Sequence, residues 1–161
     1  MSTDERPVVV AFDGSHDAEN AVRAAAGLFP DRTLVVVSVW EPGLAIAMTS
    51  APDGLSGLSY AGPDPETMAM VDRLEQDRAR DAAEAGAALA RELGATAEPH
   101  SVPDEVDVAE TLAGVADARD AAAVVVGSRG LGRVKSALLG STSRKLMHHT
   151  KRPVVVVRTD D

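Results

Sequence analysis

The sequence predicts an α/β domain, built on a doubly wound, Rossmann-like parallel sheet of five strands in the order 3-2-1-4-5. Three observations carry this expectation. Short Val-rich runs recur without polar alternation, as in strands buried on both faces. Segments with apolar residues at i, i+3, i+4 and i+7 lie between those runs, the spacing of helices that cover a sheet. The chain has 161 residues, so one domain spanning 1–161 is expected, and a chain of that size buries roughly 70% of its unfolded surface.

The first strand is expected at Val8-Val9-Val10-Ala11-Phe12. A helix follows with Ala18, Ala21, Val22, Ala25 and Leu28 on one face and Ser15 as N-cap. Asp17 and Glu19 favour the positive end of its dipole. Leu34 to Trp40 reads as the second strand. Residues 41–63 are dense in Gly, Pro, Ala and Ser and read as a long loop or lid, since connections of that length rarely stay structureless without a function. Asp64 caps a long helix with Pro65 at its first position; the helix runs to Glu92, and Gly94 stops it. Thr96 to Val102 is polar and carries Pro99, which suits an edge strand. Asp104 is expected to cap a third helix carrying Val108, Leu112, Val115 and Ala116. Ala123 to Val126 is the fourth strand. A fourth helix follows Gly140 and ends near His148 and His149, and Val154 to Val157 closes the sheet.

Composition excludes several functions. With no Cys, disulfides, thiolate zinc sites, iron–sulfur clusters and thiol catalysis are all ruled out. No apolar run reaches the length of a membrane span. The polar, acidic start lacks the pattern of a signal peptide, so a cytoplasmic location is the expectation. The net charge of −9 argues against a general nucleic-acid binder. The charge is unevenly placed, however: Gly127 to Arg158 holds eight Lys and Arg and no carboxylate. A basic segment in an acidic chain is where an anion would sit.

Ligands of open α/β sheets bind outside the carboxyl ends of the strands, where the strand order reverses. The first strand ends in Asp13-Gly14-Ser15, the second in Val39-Trp40-Glu41. The fourth runs into Gly127-Ser128-Arg129-Gly130-Leu131-Gly132-Arg133. Glycines admit close approach of backbone N–H groups to a ligand, and consecutive N–H groups make a nest for anions. Gly140-Ser141-Thr142-Ser143 then opens a helix, whose free N–H groups suit phosphate. Neither the G-x-x-x-x-G-K-[ST] loop nor the G-x-G-x-x-G fingerprint is present. No His–carboxylate–nucleophile set emerges, so no catalytic residue is assigned.

Gly127-x-x-Gly130, nine residues, then Gly140-Ser141 resembles the ATP-binding branch of the universal stress protein family. The resemblance extends over nearly the whole chain, from Val8–Ser15 through Val124–Gly130 to Pro153–Arg158. It implies that Ala11 and Val39 line an adenine slot and that Asp13 contacts the ribose or adenine side, or a Mg²⁺ ion at the phosphates. Gly127, Arg129 and Gly130 would wrap the ribose and α-phosphate, and Gly140, Ser141 and Thr142 would hold the β- and γ-phosphates. The implied cofactor is ATP, with Mg²⁺. The implied assembly is a homodimer through Pro153 to Arg158, which also answers the hazard of an uncovered Val-rich edge. Phe12 is bulkier than the family pattern, Trp40 follows the slot residue Val39, and Val102-Pro103-Asp104-Glu105 lacks the usual glycine. The function expected is a nucleotide-dependent regulatory protein of the stress response. The alternatives are a slow nucleotide-hydrolysing enzyme and an interaction module that binds AMP or a cyclic nucleotide.

Overall fold

The computed structural model describes residues 5–43, 64–104, 106–128 and 140–158. Its strands are β1 (Val8–Ala11), β2 (Leu34–Trp40), β3 (Ala97–Pro103), β4 (Ala123–Gly127) and β5 (Val154–Val157). They form one sheet in the order β3-β2-β1-β4-β5 with every pairing parallel, as the Val runs predict. The helices are α1 (His16–Leu28), α2 (Pro65–Glu92), α3 (Val108–Ala118) and α4 (Ser141–His149).

The sheet is a double-sided core. Val8, Val10, Leu34, Val36 and Val125 face α1 and α2. Val9, Val35, Val37, Val124 and Val126 face α3 and α4. Alternation along each strand divides these nine valines and Leu34 between the two faces, and all ten residues are essentially buried. The helices meet the sheet through small residues. Ala18, Ala21 and Ala25 on α1, and Ala109, Ala113 and Ala116 on α3, are buried. This is how so few aromatics suffice. Gly86 of α2 is the extreme case, since a Cβ there would lie 2.8 Å from Val36 Cγ1 and 2.9 Å from the Phe12 ring.

The caps explain where the helices begin. Ser15 accepts from the Ala18 N–H, and Asp64 accepts from the Glu66 and Thr67 N–H groups. Gly94, at φ +87°, follows the end of α2. One boundary differs from expectation. Asp107, not Asp104, caps α3, its Oδ1 accepting from the Ala109 N–H at 2.8 Å. Asp104 instead belongs to the preceding turn. Its N–H donates to the Trp40 carbonyl, and its Oδ1 accepts from Val106 N and Thr111 Oγ1. Two aspartates three residues apart both suit a cap, and the strand-like pairing of Trp40 with Pro103 commits the first of them to the sheet's edge.

α2 is far longer than the strands it covers. Its 28 residues span about 42 Å at 1.5 Å per residue, against roughly 23 Å for a seven-residue strand. No residue from Pro65 to Arg78 is buried; burial begins at Ala79. The first half therefore extends beyond the sheet's carboxyl edge, where Asp72 accepts the Gly43 N–H at 2.8 Å. The remainder of the expected 41–63 loop, from residue 44, lies outside the described residues.

Candidate functional site

The chain leaves β1 toward α1 on one face of the sheet and leaves β4 toward α4 on the other. β1 and β4 are neighbours, with Val8 opposite Ala123 and Val10 opposite Val125. The point where strand order reverses is therefore the cleft at their carboxyl ends. Asp13 stands at one lip and Gly127-Ser128 at the other.

Two hydrogen bonds from β2 fix the end of β1. The Phe12 N–H donates to the Val37 carbonyl at 2.8 Å, and Ser38 Oγ donates to the Phe12 carbonyl at 2.6 Å. Ser38 is buried, and this bond satisfies its hydroxyl. The chain then turns through Gly14 at φ +79°, a conformation that side chains disfavour. Asp13 Oδ1 accepts the Ser15 N–H at 2.9 Å. Asp13 thus presents an exposed carboxylate at the cleft and orders the turn before α1, while Ser15 does the capping.

Ala11 and Val39 are half-buried on the α3/α4 face, and Val102 of β3 joins them. Three aliphatic side chains from adjacent strands thus form an apolar floor at the sheet's carboxyl edge. Phe12 points the other way, into the α1/α2 core. Its bulk is absorbed against Gly86, so the departure from the family pattern at Phe12 does not reach this floor. Trp40 likewise falls on the face opposite Val39 by the alternation of β2.

At the β4 lip, Gly127 is the last residue of the strand and pairs with Val157. A Cβ on Gly127 would lie 2.9 Å from the Asp17 carbonyl oxygen, so the glycine is required by the approach of α1. Ser128 is buried, with its N–H donating to the Val157 carbonyl and its Oγ 3.4 Å from Asp17 Oδ2. Its carbonyl accepts the Gly140 N–H at 2.8 Å. Arg129 and Gly130, with Arg133, lie outside the described residues.

Gly140 is the N-cap residue of α4, and it supplies no side-chain cap. α4 also has no acidic residue in its first turn, whereas α1, α2 and α3 each have one or more. Ser141 is exposed and Thr142 half-buried. Among the described residues, then, no side chain caps this helix start, and its own first turn brings no carboxylate to the positive dipole end. The start is tied by Gly140 to the end of β4.

Two carboxylates of the β3–α3 turn approach this region. Lys145 of α4 forms a hydrogen-bonded ion pair with Asp107 Oδ2. That bond, then the Ala109 N–H, holds the Asp107 carboxyl below the usual carboxylate range. Asp107 in turn raises the Lys145 ammonium, and Asp104 adds to the effect from farther off. Among the described residues no group of three or more His, Asp or Glu could hold a metal ion. No described helix is long and apolar enough to cross a membrane. Sequence reasoning passed over Ser38, Ser128 and Asp107; a lone hydroxyl within each Val-rich segment was the available signal for the two serines.

Comparison with known proteins gives concordant results. The model of the universal stress protein family matches residues 5–158. A universal stress protein of Mycolicibacterium smegmatis is 33% identical over 166 residues, covering 100% of this chain and 51% of its own length. The chain spans about half the length of the curated relatives it matches. The universal stress protein of Archaeoglobus fulgidus in complex with dAMP superposes with a TM-score of 0.64 at 24% identity, over 96% of this chain and 98% of that one. A universal stress protein family member of Arabidopsis thaliana with AMP bound gives a TM-score of 0.57 at 15% identity, over 96% and 92%. At these identities the two structures speak for the fold.

Proposed function

Because the chain belongs to the universal stress protein family, we propose that it is an ATP-binding regulatory protein whose site lies at the carboxyl ends of β1, β2 and β4. The observation that carries this reading is the start of α4, which no described side chain caps, tied through the Gly140–Ser128 bond to the cleft between β1 and β4. The dAMP and AMP held by its structural neighbours support an adenine nucleotide as the ligand.

In this reading adenine lies on the floor of Ala11 and Val39, and Asp13 takes the ribose. Gly127, Arg129 and Gly130 wrap the ribose and α-phosphate, while Gly140, Ser141 and Thr142 donate to the β- and γ-phosphates. Mg²⁺ would be held chiefly by the phosphates and would neutralise their charge; Asp13 would be its protein ligand in the alternative in which that carboxylate turns to the metal instead of the ribose. No residue is assigned to bond cleavage; the protein responds to occupancy. The reading extends to a homodimer through β5, in the cytoplasm. All four valines of β5 are only half-buried, which leaves apolar surface on an edge strand. The opposite edge, β3, carries Pro99 and Pro103 among polar residues, the usual protection against pairing.

Isothermal calorimetry with Mg·ATP tests the reading, with AMP and cyclic AMP as competitors. A micromolar dissociation constant is expected. At 100-fold excess over that constant the ligand should add about 2.7 kcal/mol of stability. No heat and no thermal shift at millimolar ATP would overturn it. The chain has one Trp and one Tyr, so co-purifying nucleotide would dominate the absorbance at 260 nm.

A further inference from the structure

We infer that Asp107 sets how strongly the site favours a triphosphate over a monophosphate, by holding the Lys145 ammonium on its own carboxylate and away from the phosphates. The inference rests on the nucleotide reading above and deepens it.

Lys145 lies five positions beyond Gly140 on α4. That is a rise of about 7.5 Å, and helical side chains lean back toward the N-terminus. An extended lysine at this position covers the start of its own helix, where the outer phosphates would lie. Its side chain is 55% exposed, so packing constrains it only in part. What directs it is the bond to Asp107 Oδ2, with Asp104 as a second carboxylate nearby. A positive charge of the second turn of α4 is thereby committed to the β3–α3 turn.

The two oxygens of Asp107 have separate tasks. Oδ1 caps α3 through the Ala109 N–H, and Oδ2 takes Lys145. An asparagine keeps the capping oxygen and replaces the other with an N–H donor, which cannot accept from an ammonium. Asp107→Asn therefore releases Lys145 while leaving the helix capped, since Asn is as good a cap as Asp. Removal of a carboxylate would by itself favour any anion, and a second substitution separates that effect. In D107N/K145M the carboxylate is gone but no freed ammonium replaces it.

The experiment is calorimetric titration of the full chain with ATP and with AMP at low salt. Asp107→Asn should bind ATP about two- to fivefold more tightly, the range of an exposed ion pair, with AMP unchanged. The gain should vanish in D107N/K145M. Asp107→Ser, which also caps, should reproduce the gain and guards against a folding defect peculiar to Asn. The inference is overturned if Asp107→Asn binds ATP as the parent does, if AMP gains equally, or if the gain survives in the double variant. A parent chain that binds no adenine nucleotide overturns the function proposed above together with this inference. A parent that binds, with a flat response at position 107, overturns only the inference.

Discussion

The Gly140 N–H donates to the Ser128 carbonyl at 2.8 Å, so the residues that flank the 129–139 segment are held in contact. Closing a loop costs entropy that grows with its length, and here the neck is closed by a backbone bond that no side chain supplies. The start of α4 is thereby fixed relative to β4 before any ligand arrives.

The glycines of this region have different tasks, and substitution should separate them. Gly127→Ala places a Cβ 2.9 Å from the Asp17 carbonyl oxygen, and such overpacking costs about 1–3 kcal/mol. Its melting temperature should fall. If Gly130 wraps the α-phosphate as proposed above, Gly130→Val should melt like the parent yet lose ATP binding, because a β-branched side chain would crowd the ligand and is poorly tolerated where a glycine is needed. Scanning calorimetry and ligand titration on both variants make the comparison.

Ser38→Ala removes the hydroxyl that satisfies the Phe12 carbonyl. A buried acceptor left without a partner costs about 1–3 kcal/mol. Urea denaturation should show that loss with an unchanged slope, and ATP affinity should also fall because Asp13 follows directly from Phe12.

How legible was this in the sequence? The strands, their order and the helix positions were, because Val runs and small-residue spacing report burial directly. Ser15 and Asp64 are legible as caps because each is followed directly by its helix pattern, with Asp13 set apart from α1 by Gly14. Asp107 was not, because Asp104 competes for the same role and only the pairing of Trp40 with Pro103 decides between them. Ala11, Asp13 and Gly140 lie where strand-end logic puts them. The bracing of the β4 lip by Asp17 and Ser128 joins residues 111 positions apart, a distance no local pattern spans. Likewise, the family pattern flags Phe12 as too bulky, yet only the notch at Gly86 shows where that bulk goes.

The two central valines of β5 should respond oppositely to proline. Val124 N–H donates to the Pro153 carbonyl, and Ser128 N–H to the Val157 carbonyl. Alternation along the strand then turns the Val155 N–H toward β4 and the Val156 N–H outward. Val155→Pro should lose a ladder bond and destabilise the fold. Val156→Pro should leave the monomer's stability nearly intact and dissociate the dimer. Light scattering and thermal melting distinguish the two; a parent mass of 16.7 kDa in solution would refute the dimer.

Acid should act in two steps. Burial of His100, with Arg119 adding to it and Glu98 partly offsetting, lowers its pKa. A base depressed in the folded state protonates more readily in the unfolded chain, so its contribution is complete above the ordinary value of 6.5 and is lost as pH falls below it. Asp107 is a depressed acid, so its contribution is complete above the ordinary 3.8 and is lost as pH falls through the lower folded value. Lys145 is raised, so its share is complete below 10.5 and is lost as pH rises through the higher folded value. His100→Asn should flatten the stability curve between neutrality and pH 5, and Asp107→Asn should flatten it at lower pH and, through the loss of the Lys145 partner, on the alkaline limb as well. Denaturation midpoints across pH read both.

The first half of α2 has no buried residue, and it is held largely by its own residues. Asp64 caps it, Thr67 Oγ1 bonds back to that cap, and Arg78 pairs with Glu75 one turn away. Among the described residues its one bond to a distant part of the chain is Asp72 with the Gly43 N–H, and a segment so lightly tied is one in which most substitutions do not propagate. Most of residues 65–78 can therefore accumulate change while the sheet and the cleft between β1 and β4 stay as they are. Relatives of this chain should diverge there first, and any recognition that distinguishes one member from another can be written into that helix without cost to the fold beneath it.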